Sequence, residues 1–261
     1  MREIFPLVTF RCDSFPLFAI IILVVSHWDL TVFEKLSNAT EPTTVTPELP
    51  EAKSRRPLIL TDGDVFTRIW KQPRLVFNYV SQFEYDRYTY VFLFIAAATT
   101  SLELAIANHL NKGMTFSFII ATSIIAGGIF WTLIYFTFAA LASRIGEWFG
   151  GQATTISIVR VMAYGMFPII MASLFTILKI LLFDIDLFRE DFSVRNYAPG
   201  LSVFYVISSL SQLALAMSSM YLIVIGMSQL QQMPIGVAIL NLILPALILA
   251  VALAIIVVPF L

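Results

Sequence analysis

The sequence predicts an all-α polytopic membrane protein, with five transmembrane helices preceded by an amphipathic interfacial helix. Composition is the first reason. Hydrophobic residues make up 59% of the 261-residue chain and charged residues 13%, and the mean hydropathy is +0.86. Ordinary globular chains are about 45–50% apolar and about 25% charged. Burial saturates in domains of this length, so a larger core cannot absorb the excess and a bilayer must serve as its solvent. Pattern is the second reason. The apolar residues fall in continuous runs rather than in alternation, which predicts helices and not a barrel.

Charge and ligand inventory exclude several classes. A net charge of -1 lacks the basic surface that nucleic acid requires. The single cysteine, Cys12, excludes an intrachain disulfide and a cysteine-built zinc site. With only His27 and His109, a multi-histidine metal cluster is excluded too. No cofactor is expected.

Residues 1–60 read as an extension. Residues 15–25 form an apolar run, shorter than the ~20 residues that a spanning helix needs. Arg2 and Arg11 precede it, but Ser26-His27-Trp28-Asp29 offers no small-x-small cleavage site. Three readings stay open: a peripheral or membrane-dipping helix, a signal anchor, or an extension of little structural consequence. Residues 37–57 are rich in Thr, Pro and Glu and read as a disordered linker. Asn38-Ala39-Thr40 fits a glycosylation sequon, a pattern common by chance.

Residues 61–261 read as the membrane domain. Thr61-Asp62-Gly63-Asp64 has the form of a helix start, with an acidic residue three places after a threonine. Phe66, Ile69, Trp70, Phe77 and Val80 then recur at helical spacing, with Arg68, Lys71, Arg74 and Asn78 between them. Pro73 removes a backbone donor, which predicts a kink or two short helices. A basic helix carrying Trp and Phe belongs in the headgroup layer, its cations on anionic phosphates.

Five spans follow. The first runs from Tyr88 to about Ala107 and contains Glu103. The second lies within Met114–Ser143, between Lys112 and Arg144. The third occupies Val161–Leu178 and extends to Phe183, with Arg160 and Lys179 able to snorkel at its ends. Beyond Asn196 no residue is charged, and the polar turn from Ser228 to Pro234 splits that stretch into a hairpin. Its arms are Leu201–Met227 and Pro234–Val258, the latter with a kink expected at Pro245.

Orientation follows from the basic residues. With the N-terminal linker inside, the inner face holds Arg55, Arg56, Arg68, Lys71, Arg74, Arg87, Arg144 and Arg160. The outer loops then hold Lys112, Lys179, Arg189 and Arg195. This bias puts the N-terminus in the cytoplasm and the C-terminus outside, and it counts against residues 15–25 as a further span.

Chemistry is sparse. Glu103 is a functional candidate because intramembrane charge is costly. With Asn108 and His109 it could form part of a proton path. The competing reading, that Glu103 pairs with Lys112 or a neighbouring helix near its own helix end, is preferred, since a lone carboxylate makes a poor ion pathway. Asn241 and Gln212 read as interhelical hydrogen-bonding residues. Gly150 and Gly151 lack the lysine and spacing of a phosphate loop and read as a sharp turn kept polar by Glu147, Gln152 and Thr154. Asp184, Asp186, Glu190 and Asp191 fit no EF-hand and read as a solvated face. No nucleophile–base pair, glycine cradle or metal set is visible, which predicts a non-enzyme.

Three motifs carry a family resemblance. Ile69-Trp70-Lys71-Gln72-Pro73-Arg74 resembles the Trp-x-x-Pro-Arg motif of bacterial Yip1-domain proteins. The stretch Gly146-Glu147-Trp148-Phe149-Gly150-Gly151-Gln152-Ala153-Thr154 is similar to their loop after the second span. Ala163-Tyr164-Gly165-Met166-Phe167-Pro168 resembles the Gly/Ala-Tyr-x-x-x-Pro signature opening the third. The likeness covers roughly residues 64–258; the Asp-Leu-Tyr-Gly-Pro motif of the eukaryotic branch does not occur. The resemblance implies a small integral protein of the bacterial inner membrane with no inherited catalytic residues. Eukaryotic relatives act in vesicle trafficking, associating with prenylated Rab GTPases and with one another. It also implies a scaffold for membrane-protein partners or self-association, with Trp70, Pro73, Arg74, Trp148, Gly150, Gly151, Tyr164, Gly165 and Pro168 as the motif residues of its contact face. The alternative is a small ion- or proton-coupled transporter or channel using Glu103, Asn108 and His109.

Overall fold

A computed structural model of the chain describes residues 60–109 and 114–257. The expectations for residues 15–25, 37–57, Arg55, Arg56 and Lys112 lie outside the described residues. Two units divide the chain, and of the first only residues 60–67 are described. Here Thr61 Oγ1 donates to Asp64 at 2.7 Å and accepts from the Asp64 amide at 3.3 Å. This reciprocal cap opens helix α1, Asp62–Arg68.

The second unit begins with a turn, in which the amides of Lys71 and Gln72 donate to the Arg68 carbonyl at 3.1 and 2.7 Å. Helix α2, Pro73–Gln82, follows with proline in its first turn, where the missing amide costs nothing. Pro73 thus separates two short helices, as expected. The apolar face of α2 does not meet lipid. Val76, Phe77 and Val80 are buried, and α2 packs on helices α6 (Thr155–Gly165) and α8 (Pro199–Gln231). The spans themselves provide the surface that a headgroup-embedded helix would have sought in lipid.

Five helices among the described residues are long and apolar enough to cross a membrane. Helix α3, Thr89–Ala107, is the most buried of them. Its run of alanines, Ala96 to Ala98, is buried and lets neighbours approach closely. Thr99 and Thr100 return their hydroxyls to the carbonyls of Ile95 and Ala96 at 2.8 and 2.9 Å, so no donor is left to lipid.

The second span is one continuous helical run, Phe116–Trp148, longer than the ~20 residues that crossing a bilayer needs. It consists of α4 (Phe116–Thr122), a π-helical stretch (Ser123–Gly127) and α5 (Gly128–Trp148). The π stretch packs on α3. A Cβ at Gly127 would stand 1.8 Å from Ser101 Oγ and 2.5 Å from Ser101 Cβ. Only glycine admits that approach.

The third span corrects the expectation. It starts at Phe167, not Val161, and α6 is a separate short apolar helix ending at Gly165. Pro168 has no amide to offer the preceding turn, so the chain stops at Met166 and restarts with proline in the first turn of α7, Phe167–Phe183. Short 3₁₀ turns at Asp184–Phe188 and Val194–Asn196 lead to α8. Gln232, left-handed at φ 53°, and the Ser228 hydroxyl, which donates to the Met233 carbonyl at 2.7 Å, turn the chain into α9, Ile235–Val257. That helix runs unbroken through Pro245, and the hairpin is as expected.

Candidate functional site

The stretch from Gly146 to Pro168 lies where four helix ends meet. Gly150 adopts φ 84°, a left-handed conformation that side chains resist, and so turns the chain beyond α5. Gly146 and Gly151 serve another purpose: they make room for Gln231 from the end of α8. A Cβ at Gly146 would meet the Gln231 amide at 2.5 Å, and one at Gly151 would meet Met233 Cε at 2.6 Å and Gln231 Oε1 at 2.8 Å. Gln231 Oε1 accepts from Asn241 Nδ2 at 2.9 Å, and both residues are buried. Asn241 is therefore the interhelical hydrogen-bonding residue the sequence suggested, and Gln231 is the partner it did not name. Ser143 Oγ donates to the Ala153 carbonyl at 2.8 Å, and Thr154 caps α6 by accepting from the Ser157 amide at 3.3 Å. The loop is pinned at both ends.

Arg160 does not snorkel. Its side chain is 8% exposed, and it grips the turn between α2 and α3. Nε donates to Asp86 Oδ1 at 2.5 Å and Nη2 to Oδ2 at 2.9 Å, with Glu84 at 3.9 Å from Nη1. The hydrogen bond to Asp86 outweighs burial and holds the guanidinium above its ordinary range. One turn along α6, Tyr164 stacks near Tyr85 and Phe92, with ring centres at 5.9 and 5.6 Å. Phe92 reaches Phe167 at 6.1 Å, and Phe167 reaches Trp70 at 6.3 Å.

These contacts divide the nine motif residues. Tyr164, Gly165 and Pro168 are buried, with Gly165 pressed against Ile223 of α8, so these three build the bundle and offer no contact surface. Gly151 is likewise buried and Pro73 half-buried. Trp70, Arg74, Trp148 and Gly150 are exposed, Trp148 by 79%.

A second polar cluster lies inside the spans. Glu103 Oε1 accepts from Thr176 Oγ1 at 2.5 Å and from Gln212 Nε2 at 2.7 Å. The Gln212 carbonyl oxygen in turn accepts from the Lys179 ammonium, which is also 5.0 Å from the Tyr205 ring centre. Lys179, expected to snorkel, is instead 4% exposed. Glu103 thus faces polar groups of the third and fourth spans. Asn108 and His109 do not join it: Asn108 Nδ2 donates to Leu104 of its own helix at 2.8 Å, and His109, at φ 51°, follows the helix end. Phe183, Phe192, Tyr197 and Tyr205 close the bundle beyond the cluster, with the Phe183–Tyr197 ring centres 5.0 Å apart.

In the loop after α7, Asp186 and Asp191 are occupied by Arg189, at 3.5 and 2.9 Å. Tyr197 donates to Asp186 at 2.9 Å, and burial together with that bond pushes its phenol upward. Among the described residues, no group of three or more His, Cys, Asp or Glu is placed to hold a metal ion.

Five apolar spans packed against one another, with polar groups held between them rather than toward lipid, define an integral membrane protein of the helical bundle class. A model of the Yip1 domain matches residues 67–256, and the chain belongs to the Yip1-domain family. No curated protein and no solved structure matches it.

Proposed function

We propose that this Yip1-domain protein is a non-enzymatic membrane scaffold whose loop-end face binds a partner membrane protein or a second copy. The observation that carries this reading is the exposure of Trp148 and Phe149 at the end of α5, where the loop that follows is otherwise fixed. Aromatic side chains carried on a backbone already fixed before binding lose less entropy on contact, the property of interaction anchors. The bias of basic residues toward this end supports a cytoplasmic face in an inner membrane, with the C-terminus outside. Chemical crosslinking and affinity capture from native membranes test the reading. Partners captured by the native chain and lost in Trp148→Ala at unchanged protein level are the expected result. Capture unchanged in Trp148→Ala would sink it. Tyr164→Ala and Pro168→Ala are folding controls, because both positions are internal.

One observation favours a second reading, proton- or ion-coupled transport. Glu103 is a carboxylate within a span, turned toward polar groups of two others. Flux in vesicles that is abolished in Glu103→Gln, with folding retained, would replace the scaffold by a transporter.

A further inference from the structure

We infer that Trp70, Lys71 and Arg74 form a fixed docking surface for the headgroup of an anionic lipid. Position is the first ground. Trp70 is 45% exposed, and its ring lies 6.3 Å from that of Phe167, the first residue of the third span. An exposed indole beside the start of a span marks the level of the bilayer interface. Lys71 and Arg74, on the same turn, therefore stand at headgroup height.

Charge complementarity is the second ground. Lys71 and Arg74 are exposed and form no ion pair among the described residues. The carboxylates at this end are already engaged: Glu84 and Asp86 lie against Arg160, and Glu147 against Arg144 at 3.5 Å. Among the described residues of this unit, no carboxylate pairs with Lys71 or Arg74. The third ground is rigidity. Because Val76, Phe77 and Val80 are buried against α6 and α8, the helix carrying Arg74 cannot drift in the headgroup layer. Arg74, with Lys71 in the turn just before its helix, is presented by the bundle at one depth, so a lipid phosphate is the anion within reach. The inference stands independently of the partner that Trp148 meets.

The test uses the full chain in phosphatidylcholine bilayers, with spin-labelled phosphatidylglycerol and phosphatidylcholine as probes of lipid held at the protein surface. The expected result is a preference for the glycerol lipid that falls with added salt. It should drop about fivefold for each cation removed in Lys71→Gln and Arg74→Gln. Arg195→Gln, which removes an exposed cation beyond the far end of α7, should leave it nearly unchanged. An equal preference in the native chain and the double variant would overturn the inference, as would a loss in Arg195→Gln as large as theirs. Should the double variant fail to fold, the salt response of the native chain and the single variants decide, and no salt dependence rejects the surface.

Discussion

Arg160 and Asp86 stand 74 positions apart in sequence and meet through two parallel hydrogen bonds, at 2.5 and 2.9 Å. The guanidinium is nearly buried and the carboxylate 41% exposed, so water screens part of the attraction. Asp86→Ala should therefore cost about 2 kcal/mol, less than a fully buried pair would. Arg160→Lys should recover only part, because a single ammonium cannot make the forked contact. Thermal unfolding in detergent checks both, and an Asp86→Ala protein as stable as the native one would show the pair to be ornamental.

The Gly127–Ser101 contact predicts a specific suppressor. Ser101 Oγ can rotate away from a new methyl group, but Ser101 Cβ, 2.5 Å distant, cannot. Gly127→Ala should destabilise by about 1–3 kcal/mol through overpacking. Adding Ser101→Gly should restore most of this, less about 1 kcal/mol for glycine inside a helix. Unfolding titrations of the two variants decide the matter.

For the intramembrane cluster, coupling is the informative quantity. Glu103 and Lys179 are joined through Gln212, which donates to the carboxylate and accepts from the ammonium, so removing either leaves the other with only the neutral bridge. Each alanine substitution should cost about 2–4 kcal/mol. The double variant should fall short of their sum by about 1–2 kcal/mol. Strict additivity in denaturation by sodium dodecyl sulfate would mean that Gln212 does not link them.

The loop after α7 should respond to alkali. Burial, with the hydrogen bond to Asp186, raises the Tyr197 phenol above its ordinary range. A raised folded value contributes stability that is complete below the unfolded pKa of ~10 and is lost as pH rises through the folded one. Difference absorbance between the native chain and Tyr197→Phe should therefore show a tyrosine ionising later than a free phenol. Ionisation at the free value would contradict the contact.

Local rules carried the fold well. Pro73 and the capping pair Thr61 and Asp64 act within a few residues, the uncharged stretch after Asn196 is divided by one short polar turn, and the structure realises them as expected. The chain misleads where partners are distant. Arg160 and Lys179 both looked like span-end cations, because nothing nearby announces Asp86 or Gln212. Tyr164 and Pro168 were legible as motif residues, but a motif does not say whether its residues serve packing or contact. Burial assigns these two to packing.

The glutamate of α3 has a history as well as a place. Its partners on α7 and α8 follow it by 73 and 109 residues. A ribosome adding about 5–20 residues per second takes several seconds or more to make the last of them. During that interval the first span holds a carboxylate whose final neighbours have not been synthesised. Membrane insertion of this chain is therefore a matter of timing: the fourth span, made seconds later, completes the polar contacts of the first.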